Sequence, residues 1–270
     1  MDPLVNPGQV STHAHAIHGS NGLTIWRYYL LHGENTTAFS RGFQMLAGDT
    51  YQHNFTLPIS DSSKSSWLGE DSTEFALQQK ALEFNCMNHT LNPEPSLYCH
   101  TLSNKEYLDV YCTDGLCTEI IFPSCWNGWD IDTADHKSHV VYSSTVDDGT
   151  CPHGFGICLI SLYYETIWNT NTFKDVVGEF TFANGDSTGC GYHADFIEAW
   201  EDSILQKTAY QCRNMSGCVK DCPLFILQSQ EKQEQCKLRV LDVLSHEQGQ
   251  IHYNGLPGNV SIVCGSEYNL

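Results

Sequence analysis

Thirteen cysteines, all beyond residue 85, constrain this chain more than any other feature: they stand at positions 86, 99, 112, 117, 125, 151, 158, 190, 212, 218, 222, 236 and 264. Reduced intracellular proteins rarely carry so many thiols, so the natural reading is a fold closed by disulfides in an oxidising compartment. Five Asn-X-Ser/Thr sequons, at Asn35, Asn54, Asn88, Asn214 and Asn259, point the same way. A zinc-knuckle reading fits poorly, because the two short spacings, Cys112 to Cys117 and Cys218 to Cys222, have no histidine partner at finger distance. The odd count leaves at least one thiol free or paired with another chain. The opening Met1-Asp2-Pro3-Leu4-Val5 has no basic start and no apolar stretch. An extracellular location therefore implies a leader already removed, or a sequence that begins at the mature boundary.

Two further classes are not expected, one on charge and one on the length of the apolar runs. Lys plus Arg is 13 against 32 Asp plus Glu, a formal net charge of −19. A phosphate lattice would repel this chain and no basic stripe offsets the charge, so a nucleic-acid partner is not expected. The longest apolar runs, such as residues 156–160, fall far short of the ~20 residues of a spanning helix. With 6 Trp, 13 Tyr and 12 Phe the chain has ample apolar surface for a core.

The pattern is mainly β. Residues 118–122, 139–142, 157–168 and 179–182 are β-branched or aromatic and are separated by Gly, Asn, Asp and Pro turns. This predicts one antiparallel sandwich or jelly-roll-like domain with long loops. One helix is expected near 195–211, with Asp195 as N-cap and Phe196, Trp200, Ile204 and Leu205 on one face. Residues 75–85 fit a helix or an extended segment equally. The expected organisation is a main β domain over 1–212 and a Cys-rich extension over 213–270 packed on the same core. Residues 57–73 read as an exposed loop.

Thirteen histidines are the chemical anomaly, and their spacing is informative. His13 and His15 fall on one side of an extended strand, because side chains alternate with period two. His136 and His139 form a second pair, led by Asp130, Asp132 and Asp135. Tyr192, His193 and Asp195 form a third cluster after the Gly-rich turn 185–191. Imidazole and carboxylate ligate divalent metals and also make acid–base pairs near neutral pH. The functional reading is one cleft built from all three segments, against the plainer one of exposed or separately bonded histidines. Within it His13, His15, His136, His139, His193 and Asp195 are the catalytic candidates. His13, His15, His139 and His193 are the candidate ligands of a divalent metal ion. Trp126, Trp129 and Tyr192 are candidates for stacking on sugar rings, although aromatics in strands usually pack inward. Asp130, Asp132, Asp135, Glu165 and Asp186 offer a competing carboxylate pair for glycoside hydrolysis, against the reading of a solvated acidic face.

Several motifs taken together resemble a known family. They are Asp2-Pro-Leu-Val-Asn-Pro-Gly8, Ser11-Thr-His-Ala-His15, Gly42 to Asp49, Phe122-Pro-Ser-Cys-Trp126, Asp135-His-Lys-Ser-His139, Gly149-Thr-Cys-Pro152, Ala183-Asn-Gly-Asp186 and Gly191 to Phe196. Asp221-Cys-Pro223 and Leu256-Pro-Gly-Asn259 extend the likeness to the tail. The set resembles the fungal domain of unknown function numbered nineteen ninety-six. That resemblance implies a secreted fungal protein whose relatives carry a signal peptide just before the Asp-Pro segment and sometimes WSC modules that bind wall glycan. The family's recurring polar residues correspond to His13, His15, His136, His139, His193 and Asp195. Two departures stand out. Gly22 to Trp26 runs almost directly into Arg27-Tyr-Tyr-Leu30, where relatives have a longer stretch. Cys117, Cys158, Cys190, Cys218 and Cys264 look additional to the usual set.

The expected function is therefore that of a secreted enzyme acting on cell-wall or plant polysaccharide through the His-rich cleft. The alternatives are a non-catalytic glycan-binding or cell-surface protein, and a tailoring enzyme for a small metabolite. A copper site of the N-terminal-histidine type is disfavoured, because no histidine stands at the mature terminus.

Overall fold

The computed structural model describes residues 4–7, 11, 13–16, 25–30, 36–54, 67–201, 203–214, 216, 218–235, 251 and 255–263. Nine strands and four α-helices are described. β1 is Ile25–Leu30 and β2 is Gln44–Gly48. α1, Glu74–Lys80, is followed directly by β3, Leu82–Met87. α2, Lys105–Tyr111, precedes β4, Gly115–Ile121. The short strands β5, Cys125–Trp126, β6, Val140–Val141, and β7, Ile157–Cys158, lead to the long β8, Ser161–Trp168. β9 is His193–Ile197, α3 is Ile204–Gln211 and α4 is Gln230–Gln235. The strands form a four-stranded sheet in the order β1-β8-β4-β3, a pair β2-β9 and a small sheet β6-β5-β7, all antiparallel. The expectation of one mainly-β antiparallel domain holds.

Alternation along the strands explains the two-sided packing. Leu82, Phe84, Ile120 and Leu162 turn to one face of the large sheet, where Phe43, Met45, Phe122 and Phe196 join them in the principal core. On the opposite face Ile121 packs with Trp67, Leu77, Ala81, Leu97 and Tyr142 in a second cluster. The β2-β9 pair thus lies on the principal core through Met45, Ala47 and Phe196, and turns its other face away from it.

Four local expectations are refined. The undecided stretch 75–85 is both: Thr73 caps α1 by accepting from Ala76 N at 3.2 Å, and the apolar alternation beyond Lys80 forms β3. The run 157–168 breaks at Leu159 and Ile160, two core residues between β7 and β8. Residues 179–182 form no strand; Phe182 N donates to Asp186 O at 2.8 Å and closes a turn. The helix near 195–211 starts only at Ile204. Asp195 is a strand residue paired with Leu46, because β2 supplies the backbone partners that a helix would have had to supply itself. Most of the loop at 57–73 lies outside the described residues.

Disulfides join Cys86 to Cys112, Cys125 to Cys151 and Cys212 to Cys222. The first ties β3 to the end of α2, the second ties β5 to the turn before β7, and the third pins the chain after α3. Cys99 and, of the additional cysteines, Cys117, Cys158, Cys190 and Cys218 form no disulfide with a described residue; the additional Cys264, like Cys236, lies outside the described residues. The first two bridges each span 26 residues, so each stabilises by roughly 3 kcal/mol by restricting the unfolded chain. Reduction is expected to lower the melting temperature by well over 5 °C; an unchanged melting curve after full reduction would count against a structural role for the bridges.

Candidate functional site

β9 turns His193, Asp195 and Ile197 to the outer face of the β2-β9 pair, opposite Phe196 in the core. The 13–16 segment brings two more imidazoles to it. Ala14 between them is exposed while His13 and His15 are partly buried, as expected when alternate residues of an extended chain face one way. His13 Nε2 lies 2.7 Å from His15 Nε2 and 3.1 Å from His193 Nε2. The rings meet at centroid separations of 4.5, 5.0 and 5.3 Å.

The far side of two rings sets their protonation. His193 Nδ1 is 2.9 Å from Gly191 O. A carbonyl only accepts, so Nδ1 carries the hydrogen and a neutral His193 presents a lone pair at Nε2. His15 Nδ1 stands 3.6 Å from Asp195 Oδ2, with both side chains largely buried. That carboxylate favours the same tautomer. Two lone pairs thus face His13 Nε2, and a single proton there would have to serve both. A divalent cation would satisfy all three nitrogens. Bonds of ~2.0–2.1 Å in a tetrahedral site put neighbouring nitrogens roughly 3.3 Å apart, so the His13–His15 pair at 2.7 Å would have to open by about 0.6 Å and the His13–His193 pair at 3.1 Å by about 0.2 Å. Among the described residues, His13, His15 and His193 are one of two groups close enough to share an ion.

Backbone geometry lets β9 approach. Gly48 pairs with His193 and has φ +75°; a Cβ there would sit 2.3 Å from Tyr192 O and 2.9 Å from His193 Cα. Gly48→Ala is expected to cost about 2 kcal/mol or more and to displace His193. Full stability together with an unchanged His193 NMR signal would contradict this.

His136 and His139 do not join the cluster. Their segment runs along the other edge of β2: Gln44 N donates to Ile131 O at 2.9 Å, Leu46 N to His136 O at 2.9 Å, and Lys137 Nζ to Gly48 O at 2.6 Å. His136 Nδ1 is held at 2.6 Å by Asp132 Oδ1. His139 is fully buried, with Nε2 2.8 Å from Gln44 O and Nδ1 3.1 Å from Thr133 Oγ1. Both its nitrogens are engaged, and burial holds its pKa below the ordinary histidine value. Asp135 anchors the same turn, accepting from Thr133, Lys137 and Ser138. Of the aromatic candidates, Tyr192 packs on Phe182 and Phe84 in the principal core. Trp126 is partly buried against Phe43 and donates Nε1–H to Asp130 O. Trp129 is 85% exposed.

A polar row crosses the large sheet on its second face: Glu83 pairs with Glu119 and Glu119 with Glu165. Tyr163 Oη donates to Glu119, and Asn85 Nδ2 donates to Glu119 Oε1 at 2.8 Å. Glu83 is fully buried and accepts from Leu97 N at 2.5 Å and Tyr98 N at 3.2 Å. Burial, and then the neighbouring Glu119, push its carboxyl up to about 8. Burial likewise raises the Cys117 thiol beside it. Cys117, Glu119 and Glu165 are the second group with donor atoms close together. Sequence reasoning named only Glu165 of this row, because an isolated Glu in an apolar strand carries no mark of its cross-strand partner. Asp186, named there as an acid–base candidate, is fully buried rather than solvated.

The family described as Domain of unknown function (DUF1996) matches residues 24–200. The match contains His193 and Asp195 and ends short of His13 and His15 on the N-terminal side. No curated protein and no solved structure matches the chain.

Proposed function

The chain belongs to the DUF1996 family, and from that premise we propose that it is an extracellular metal-dependent enzyme acting on polysaccharide, with His13, His15 and His193 as the metal ligands. The convergence of three Nε2 atoms from segments 180 residues apart carries the reading. Three protein nitrogens with a carboxylate behind one of them is the donor set of an open site, where a fourth position is left to water or substrate. A bound divalent ion would supply a Lewis acid and a water of lowered pKa. The chain's own residues hold the rest in place. Gly191 O fixes the His193 tautomer, and Asp195 orients His15. His136 and His139 hold the strap along β2 on which the strand pair rests.

Support for the compartment comes from the three disulfides and from exposed Asn214 and Asn259 within sequons. Support for a glycan ligand is thinner: the exposed Trp129 ring suits stacking on a sugar face, and the net charge of −19 disfavours anionic substrates. The test is elemental analysis of the purified protein, followed by product analysis on neutral wall glycans before and after chelation. About one equivalent of a transition metal and chelator-sensitive product formation are expected. Metal-free protein that cleaves glycan would remove the metal, whereas retention on glycan without product would favour the binding-protein alternative.

A further inference from the structure

We propose that Asp186 is a positioning residue for His193, acting on the metal site through the Gly189–Gly191 turn; the inference rests on the metal reading above. Asp186 is fully buried and far from solvating water. A buried carboxylate is tolerated only when donors surround it, and among the described residues its hydrogen-bond donors come from the turn that leads into β9. Oδ1 accepts from Thr188 N at 2.9 Å and Thr188 Oγ1 at 2.6 Å, and Oδ2 accepts from Gly191 N at 2.9 Å. The carbonyl of the same Gly191 accepts from His193 Nδ1 at 2.9 Å and from Asn184 Nδ2 at 3.0 Å. Asn184 Oδ1 in turn accepts from Asp186 N at 3.2 Å. Asp186 therefore grips one side of Gly191, and His193 reads the other.

Two steric facts make the grip narrow. A Cβ on Gly191 would meet Asn184 Nδ2 at 2.9 Å and Gln52 O at 3.0 Å, and a Cβ on Gly189, with φ +86°, would meet Phe84 at 2.5 Å. The turn has one path, and the acceptors of Asp186 select it. His53, equally buried, places Nδ1 3.5 Å from Asp186 Oδ1 and closes the carboxylate off from behind. Asparagine at 186 would turn an NH2 group against one of these N–H or O–H donors. The Gly191 peptide would then rotate, and its carbonyl would cease to hold the proton of His193 on Nδ1. Outer hydrogen-bond partners of this kind typically govern metal affinity by 10–100-fold.

The experiment uses the full chain with histidine labelled by nitrogen-15, as wild type, Asp186→Asn and Thr188→Val. The metal-free spectrum reports the His193 tautomer; titration with Cu²⁺ alone, followed by electron paramagnetic resonance, reports the metal site. Wild type is expected to show a single Nδ1–H tautomer of His193. Asp186→Asn is expected to show mixed tautomers, at least tenfold weaker Cu²⁺ binding and an altered copper hyperfine pattern. Thr188→Val, which removes one donor and leaves the charge, is expected to move His193 in the same direction by less; it decides the matter should Asp186→Asn not fold. An unshifted His193 tautomer together with unchanged copper parameters in the variants overturns the inference, even if the melting temperature falls. Wild type that takes up no Cu²⁺ defeats the metal reading alone, and the tautomer measurement still decides the role of Asp186.

Discussion

Alanine in place of His193 is expected to weaken divalent-metal binding by more than about hundredfold and to abolish any metal-dependent activity, with the fold retained. The weakening exceeds that of losing an outer partner, typically 10–100-fold, because one of three donor nitrogens is gone. His193 sits on an outer strand face and is only partly buried, so its removal opens no core cavity. His139→Ala is the contrasting variant. It empties a fully buried position beneath Gln44 and is expected to cost about 2–4 kcal/mol of stability. At temperatures where it stays folded it should leave metal stoichiometry near wild type. Calorimetric metal titration beside thermal melts separates the two. Loss of metal in the folded His139→Ala protein with retention in His193→Ala would show that the strap, and not the three-imidazole cluster, holds the ion.

The second large effect is on stability against pH. Glu83 has its folded pKa raised to about 8 by burial and by Glu119, against about 4.3 for an exposed glutamate. Between those values the folded chain holds a proton that the unfolded chain has released. Stability must therefore fall as pH rises through this window, by a few kcal/mol in all, and the contribution is fully present only at acid pH. Urea denaturation from pH 4 to pH 9 is expected to show that loss, and Glu83→Gln, which keeps a neutral hydrogen-bonding side chain, is expected to make the curve shallower; a residual slope stays with Glu74, whose carboxyl burial raises to about 7. The Glu83→Gln protein keeping the full wild-type slope would assign the proton to another group.

Legibility differed from one element to the next for physical reasons. His13 and His15 could be read because period-two alternation is a local property that needs no knowledge of the partner. His193 was also legible as a candidate, but its element was not. Phe196, Trp200 and Ile204 recur at helical spacing, yet backbone pairing with β2 takes residues 193–197 into a strand and leaves the helix to start at Ile204. The pair His136 and His139 carries the same spacing signal as a ligand pair. What distinguishes it is that Asp132, Thr133 and Gln44 O occupy its nitrogens, and Gln44 is almost a hundred residues away. Asp186 and Glu165 were named among many carboxylates, but the burial of Asp186 and the partners within the Glu83–Glu119–Glu165 row were hidden for a related reason: burial of a carboxylate is decided by neighbours across the fold.

Composition and local pattern by themselves determined the class of molecule: a disulfide-closed, mainly-β, strongly acidic chain rich in histidine. Apolar periodicity and cysteine content act residue by residue, so they survive without a fold. Which imidazoles meet, which are spent on hydrogen bonds and which carboxylates keep a proton was decided only by the tertiary structure. The decisive contacts among them, such as His13 to His193 and His139 to Gln44, are distances of about 3 Å between groups far apart in sequence, and only the folded backbone sets such distances.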